Sequence, residues 1–200
     1  MSVVLGLDPG FACIGYAVVE LPSEGGERPI NMGVFRTEKS SKKQKVFASD
    51  DNVRRAREIY LFLRDLATDG ACGPVSAICA ETMSFPRSSS VAAKMAMCWG
   101  AIAALSEQFN IPVIQASPQQ LKKSVTGSKT SDKEAVQKAL KKRYGKALLD
   151  ESCRDVLPSM LEHPYDALGA VVATLDSELM RMARRVSSPL VVTGAPPCEV

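Results

Sequence analysis

Histidine is nearly missing from this chain: His163 is the single one among 200 residues. The six cysteines (Cys13, Cys72, Cys79, Cys98, Cys153 and Cys198) are scattered, with no C-x-x-C pair. A structural zinc site needs about four closely spaced thiolate or imidazole ligands, so these two scarcities exclude it, and the thiols read as free and intracellular. Charge of one sign is also scarce. Lys and Arg number 25 against 22 Asp and Glu, a net charge of +3, so any surface for a polyanion must be local. Long apolar runs are lacking: the longest, "MAMCWGAIAAL" at 95–105, is too short to cross a bilayer. The first residues carry neither the basic flank nor the cleavage site of a signal peptide. No membrane is expected as a partner, and the expected location is intracellular, with cytoplasm, organelle and virus-infected cell all open.

What is present is patterned. Val- and Leu-rich residues 2–7, the Ile/Val/Tyr-rich stretch 12–20 and "INMGVFR" at 30–36 read as three strands with spacers short enough for antiparallel pairing. A helix is predicted from Asp50 to Ala67, capped by Asp50 or Asp51, with Val53, Ala56, Ile59, Tyr60 and Leu63 at helical spacing. "VSAICAE" at 75–81 is a fourth strand, and a long helix, apolar nearly all round, should follow from Ser89 to Gln108. "IPVIQA" at 111–116 is a fifth strand. Ser117 and Pro118 then open a short helix, and Ser131 with Glu134 forms a capping box for a basic one. A last helix is predicted from Pro164 to Arg185, and the Pro-, Ser- and Gly-containing stretch 186–200 reads as a loose tail after one domain, 1–185. Three antiparallel strands followed by alternating β and α elements predict an α/β fold with a mixed five-stranded sheet and helices on both faces.

Acids stand where this fold places core elements. The first apolar run ends on Asp8, followed by Pro9 and Gly10, and the fourth strand ends on Glu81. If the first and fourth strands are sheet neighbours, both carboxylates meet at one sheet edge. Asp166 opens the last helix with His163 three residues earlier on the same face, so a helix crossing that edge would deliver both. Clustered carboxylates repel, and hard oxygen ligands with at most one imidazole suit Mg²⁺ or Mn²⁺. Two such ions ~4 Å apart can hold an attacking water and a leaving oxygen on a phosphodiester. Each residue also has a plainer reading. D-P-G is a common turn tripeptide, a glutamate after a strand is often a solvated loop acid, and Asp166 and His163 can simply suit a helix start.

"VVLGLDPGFACIGYAVV", "AICAETMSF", "QQLKKSVTGSKTSDKEAVQ" and "HPYDALGAVVAT" together resemble, in order and across most of the chain, the RuvC-type Holliday junction resolvases of the RNase H-like superfamily. The resemblance implies an RNase H-like fold, divalent-metal hydrolysis of phosphodiesters with two Mg²⁺ or Mn²⁺ ions, and a homodimer that nicks branched DNA symmetrically. It maps metal ligation onto Asp8, Glu81 and Asp166. The fourth acidic position falls on His163, a residue that some relatives also carry there, with Glu162 as a rival one turn from Asp166. It suggests Lys122 and Lys133 near the scissile phosphate.

Local charge agrees with DNA. Lys122, Lys123, Lys129 and Lys133 begin a basic segment that continues through Lys138, Lys141, Lys142, Arg143 and Lys146, the latter part reading as a solvated helix face. Lys39, Lys42, Lys43 and Lys45 form a second basic loop. Such clusters hold phosphates without reading sequence. Phe85, beside Arg87 in the loop after Glu81, suits either base stacking or the core. Small residues along 92–104 permit close helix approach, which suits a dimer on a two-fold-symmetric junction. Two other classes compete. A sugar-kinase or actin-like ATPase needs a second nucleotide-binding half for which there is no room. A non-catalytic branched-DNA-binding protein of the same fold would keep the lysines without needing the three acids. A branch-migration motor as a further partner stays open.

Overall fold

The computed structural model describes residues 2–22, 26–68, 75–83 and 88–185. Strands β1 (Ser2–Asp8), β2 (Cys13–Leu21), β3 (Arg28–Arg36), β4 (Val75–Glu81) and β5 (Val113–Ala116) form one five-stranded sheet in the order β3-β2-β1-β4-β5. β1–β2 and β2–β3 pair antiparallel; β1–β4 and β4–β5 pair parallel. This is the expected mixed sheet, with β1 and β4 adjacent. β1 is central and buried along its length apart from its tip, Asp8.

Side chains alternate across the sheet, so each strand serves two cores. Val3, Leu5, Leu7, Ile14, Val18 and Ile78 face α1 (Ala48–Thr68) and α2 (Ser89–Phe109). Val4, Ala17, Val19, Ala77 and Cys79 face a layer built from α3 (Pro118–Thr126), α4 (Lys133–Tyr144), α5 (Lys146–Ser152) and α6 (Glu162–Thr174). The central helix is α6, where Tyr165, Ala167, Leu168, Ala170 and Val171 are 0–1% exposed. Each fully buried large aliphatic among them contributes about 1.5–3 kcal/mol. The helix sits close because β1 and β2 carry glycine beneath it. A Cβ on Gly6 would meet the Ala167 carbonyl oxygen at 2.3 Å, and one on Gly15 the His163 carbonyl oxygen at 2.2 Å.

Several boundaries differ from expectation. α1 starts at Ala48, so Asp50 and Asp51 lie inside its first turn and cap nothing. Asp51 instead turns inward and accepts from the Ser40 backbone N–H and hydroxyl. The buried stripe of α1 is Asp51, Arg55, Ile59, Leu63 and Ala67, and Val53 is 63% exposed. α4 is capped by Asp132, whose carboxylate accepts from Ala135 N, while Ser131 shares a hydrogen bond with Thr126. The predicted last helix begins earlier, at Glu162, and is two helices. α6 ends at Thr174, whose hydroxyl turns back to the Ala170 and Val171 carbonyls, and α7 (Glu178–Arg185) restarts with the Ser177 hydroxyl accepting from Met180 N. β5 begins at Val113, after a proline that lacks the N–H a ladder needs. α5 and two 3₁₀ turns, Lys42–Gln44 and Pro158–Met160, have no counterpart in the sequence reading.

The long apolar helix also departs from expectation. α2 is 21 residues with a mean hydropathy of 1.2 over its most apolar window, enough by length and composition for a membrane span. Its buried residues, Cys98, Ala101, Ile102 and Leu105, pack in the core shared with α1. Cys13, Cys79, Cys98 and Cys153 are free thiols, as expected for the described cysteines.

Candidate active site

Because β1 and β4 run parallel with Leu7 opposite Ala80, the next residue on each strand, Asp8 and Glu81, emerges at the same end of the sheet. α6 starts over that end, held down on Gly15 by the close approach of His163. His163 Nδ1 lies 2.7 Å from Asp8 Oδ2. The histidine is therefore the second residue of α6 with its ring committed to Asp8, and the cap reading falls away. Asp166 follows three residues later, one turn into the helix and not in its first turn, because α6 begins at Glu162.

The electrostatics bind these residues into one unit. Burial, then the Asp8 and Asp166 charges, push Glu81 up to about 7. Burial, then the Asp8 charge, push Asp166 up to about 6. The hydrogen bond to Asp8 raises His163. Lys133, at the start of α4, donates from Nζ to Glu162 Oε2 at 2.7 Å, which raises the lysine and lowers the glutamate. Lys122 on α3 is close enough for its charge to oppose the rise at Glu81. Glu162, the rival ligand, is thus neutralised by Lys133 and lies 3.9 Å from His163 Nε2.

Other expected residues fall outside this cluster. Lys123 and Lys129 are exposed, and Lys39, Lys42 and Lys43 stand exposed on the loop between β3 and α1. Phe85 and Arg87 lie outside the described residues, as does the 186–200 tail. Later in the basic segment, Arg143 pairs with Glu27 at 2.6 Å and Lys141 with Asp150 at 3.7 Å. Those two cations are engaged in the fold. The seats of α6, Gly6 and Gly15, were missed at the sequence level; a glycine on each of two adjacent predicted strands was the available signal.

Three carboxylates and one imidazole, two of the acids raised by burial and by the neighbouring charges, are a donor set that suits a hard divalent cation. Among the described residues no three of these groups already converge at ligand distance.

The sign of the pH dependence follows. Glu81 and Asp166 have folded pKa values above their ordinary 4.5 and 3.8, so their contribution to stability is present at low pH and is lost as pH rises toward about 7 and about 6. His163 is raised above 6.5, so its contribution is complete below that value and is lost as pH rises through the folded pKa. All three slopes agree. Without divalent ions the melting temperature should fall from about pH 5 to about pH 8, and added Mn²⁺ should raise it more at the higher pH. Thermal melts at both pH values, with and without the ion, check this; a Mn²⁺ effect larger at the acid end would contradict it.

The family model of "Crossover junction endodeoxyribonuclease RuvC" matches residues 4–145, which takes in Asp8 and Glu81 and stops short of α6. A protein of that description from Pseudothermotoga lettingae is 29% identical over 139 residues, 70% of this chain and 78% of the relative. Another, from Chlorobium phaeovibrioides, is 31% identical over 134 residues, 67% of this chain and 65% of the relative. Among solved structures, Thermus thermophilus RuvC in complex with a Holliday junction substrate superposes with a TM-score of 0.68 at 23% identity, covering 95% of this chain and 100% of the other. The yeast mitochondrial Holliday junction resolvase Ydc2 gives 0.62 at 12% identity, covering 92% and 81%. These likenesses fix the RNase H-like fold, helix α6 included. A family model that matches most of the chain, on the fold that its order of strands predicts, places this chain in the RuvC family of crossover junction endodeoxyribonucleases.

Proposed function

We propose that this protein cuts strands of a four-way or otherwise branched DNA by metal-dependent hydrolysis, with Asp8, Glu81, Asp166 and His163 holding Mg²⁺ or Mn²⁺, two ions per site. The observation that carries the reading is that β1, β4 and α6 bring those four residues to one end of the sheet, with the His163 ring on Asp8 and the charges of Lys122 and Lys133 nearby. Bound there, divalent ions supply charge stabilisation for the phosphodiester and an activated water. The protein's own part is to hold the donors. Asp8 orients the His163 ring through Nδ1, and the half-buried Glu81 and Asp166 are held beside Asp8, where a divalent cation would relieve their mutual repulsion. Lys133 holds Glu162 apart from the other acids, and a phosphate entering the site competes for its ammonium.

The reading includes a homodimer across α2. Ala93, Ala96, Gly100, Ala103 and Ala104 are exposed at helical spacing, and a Cβ on Gly100 would meet nothing within 4 Å. A stripe of small apolar residues left in water suits a second helix. Two copies would place two sites on one two-fold junction. The test is incision of a cruciform plasmid beside labelled four-way, three-way, flap and linear DNA with Mg²⁺ and with Mn²⁺. Wild type should prefer the four-way substrate and yield linear plasmid from paired cuts. Gly100→Glu, which buries an unpaired charge in the seam, should yield nicked circle and a smaller sedimenting mass. Junction binding without cleavage in either metal would instead identify a non-catalytic binding protein. An unchanged mass and product for Gly100→Glu would move the interface elsewhere.

A further inference from the structure

α1 buries a guanidinium for which the described residues supply no acid. Arg55 is 3% exposed, and among the described residues no carboxylate lies within 4.0 Å of it. Its neighbour Arg54 takes Asp51 and Glu58 instead. A charge buried without a counter-ion is costly, and an aliphatic side chain of the same length would fill the space without that cost. The hydrogen bonds of Arg55 show what the charge holds. Nε donates to Thr37 Oγ1 at 2.9 Å, and Nη2 reaches the Thr37 carbonyl at 3.4 Å and the Phe11 carbonyl at 3.5 Å. The guanidinium carbon lies 4.5 Å over the Phe11 ring. Thr37 completes the tie: its hydroxyl donates to the Phe11 carbonyl at 2.7 Å and its N–H to the Ala12 carbonyl at 3.1 Å.

Phe11 and Ala12 form the turn that leaves Asp8. Thr37 begins the segment that carries Lys39, Lys42, Lys43 and Lys45. That segment is itself fastened to the first turns of α1, through Ser40 on Asp51 and the Glu38 carbonyl on Arg54 Nη2 at 2.6 Å. One buried cation therefore joins the exposed lysine loop to the turn behind a metal-binding carboxylate. We propose that Arg55 is a positioning residue, which ties the seating of a phosphate backbone on the lysine loop to the placement of Asp8. The inference rests on the nuclease reading above.

The variants are Arg55→Met, Thr37→Val and the conservative Thr37→Ser, with Lys39, Lys42 and Lys43 changed together to Ala as a probe of the loop. Three quantities are read on the full chain: junction affinity against salt, single-turnover cleavage at saturating protein, and the Mn²⁺ concentration at the midpoint of thermal stabilisation. Arg55→Met and Thr37→Val should slow saturated cleavage by about tenfold or more, since small displacements of a catalytic group carry costs of this order. Their junction affinity should stay within about threefold, because Arg55 and Thr37 are buried, 3% and 6% exposed, and offer no surface to a phosphate. Their Mn²⁺ midpoint should move to higher concentration, and Thr37→Ser should restore both values. The triple lysine variant should lower affinity, flatten the salt slope by about 0.9 for each phosphate no longer held, and slow saturated cleavage. In the Arg55→Met background it should slow cleavage no further. Wild-type rate and Mn²⁺ midpoint in Thr37→Val, or fully additive losses in the combined variant, would overturn the coupling, and Thr37→Val keeps the coupling testable should Arg55→Met fail to fold. If wild type cleaves no branched DNA in any divalent ion, the nuclease reading fails by itself, and the Mn²⁺ midpoints still decide whether Arg55 positions Asp8.

Discussion

Changing Asp8 to Asn, Glu81 to Gln or Asp166 to Asn, one at a time, should remove nearly all strand cleavage and leave junction binding in place. Each amide keeps the shape and loses the charge that a divalent cation needs. The fall should be roughly a hundredfold or more, the range found when a preorganised charge-stabilising group is removed from a site. Stability should move the other way. Glu81 and Asp166 are pushed up to about 7 and about 6 by burial and by the neighbouring acids, so an amide at either position relieves repulsion in the metal-free protein at neutral pH. Glu81→Gln and Asp166→Asn should therefore melt no lower than wild type without metal, and gain less from Mn²⁺. Gel shift, cleavage and melting on the same preparations separate these effects. Full cleavage in any one variant would remove that residue from the site.

The second large effect is expected from a methyl group. A Cβ on Gly15 would stand 2.2 Å from the His163 carbonyl oxygen, 2.4 Å from its carbonyl carbon and 2.8 Å from its Cβ. Those atoms belong to the backbone and root of the residue that must reach Asp8, so they cannot swing aside. Gly15→Ala should force β2 and the start of α6 apart, lengthening the 2.7 Å hydrogen bond between His163 and Asp8. Overpacking of this kind costs about 1–3 kcal/mol in stability. The displacement should cost about a hundredfold in cleavage. Gly26→Ala is the control, because a Cβ there meets nothing within 4 Å. A Gly15→Ala protein with wild-type melting and cleavage would show that α6 is not seated as described.

Much of this was legible in the sequence because the relevant signals are local. Five apolar runs gave five strands, two of them ending on acids, and the order of elements made β1 and β4 neighbours. Ser117 with Pro118 marked the start of α3 because cap chemistry is written in adjacent residues. Other features depend on neighbours that only the fold supplies. Asp51 looked like a cap and is a buried acceptor for Ser40, eleven residues away in the chain. Val53 had helical spacing and faces water, because Arg55 occupies the inward position to hold Thr37. The break between α6 and α7 follows from Thr174 and Ser177, whose hydroxyls commit to local backbone groups. His163 read equally well as a helix cap, but α6 starts at Glu162 and the His163 ring lies on Asp8, which removes the cap role. α2, the most apolar helix by sequence, buries only one face, while α6 takes the centre because two glycines beneath it let it approach.

If Asp8, Glu81, Asp166 and His163 hold divalent cations together, removing any one carboxylate should weaken metal binding. Calorimetric titration of Mn²⁺ into the wild-type protein and into Asp8→Asn, Glu81→Gln and Asp166→Asn, without DNA and near neutral pH, tests it most directly. Wild type should bind saturably and release part of a proton as it does so, chiefly from Glu81, which is pushed up to about 7. Each variant should bind more weakly by at least the ~10–100-fold that even an outer-shell change costs a metal site. Equal affinity in wild type and all three variants would contradict the account.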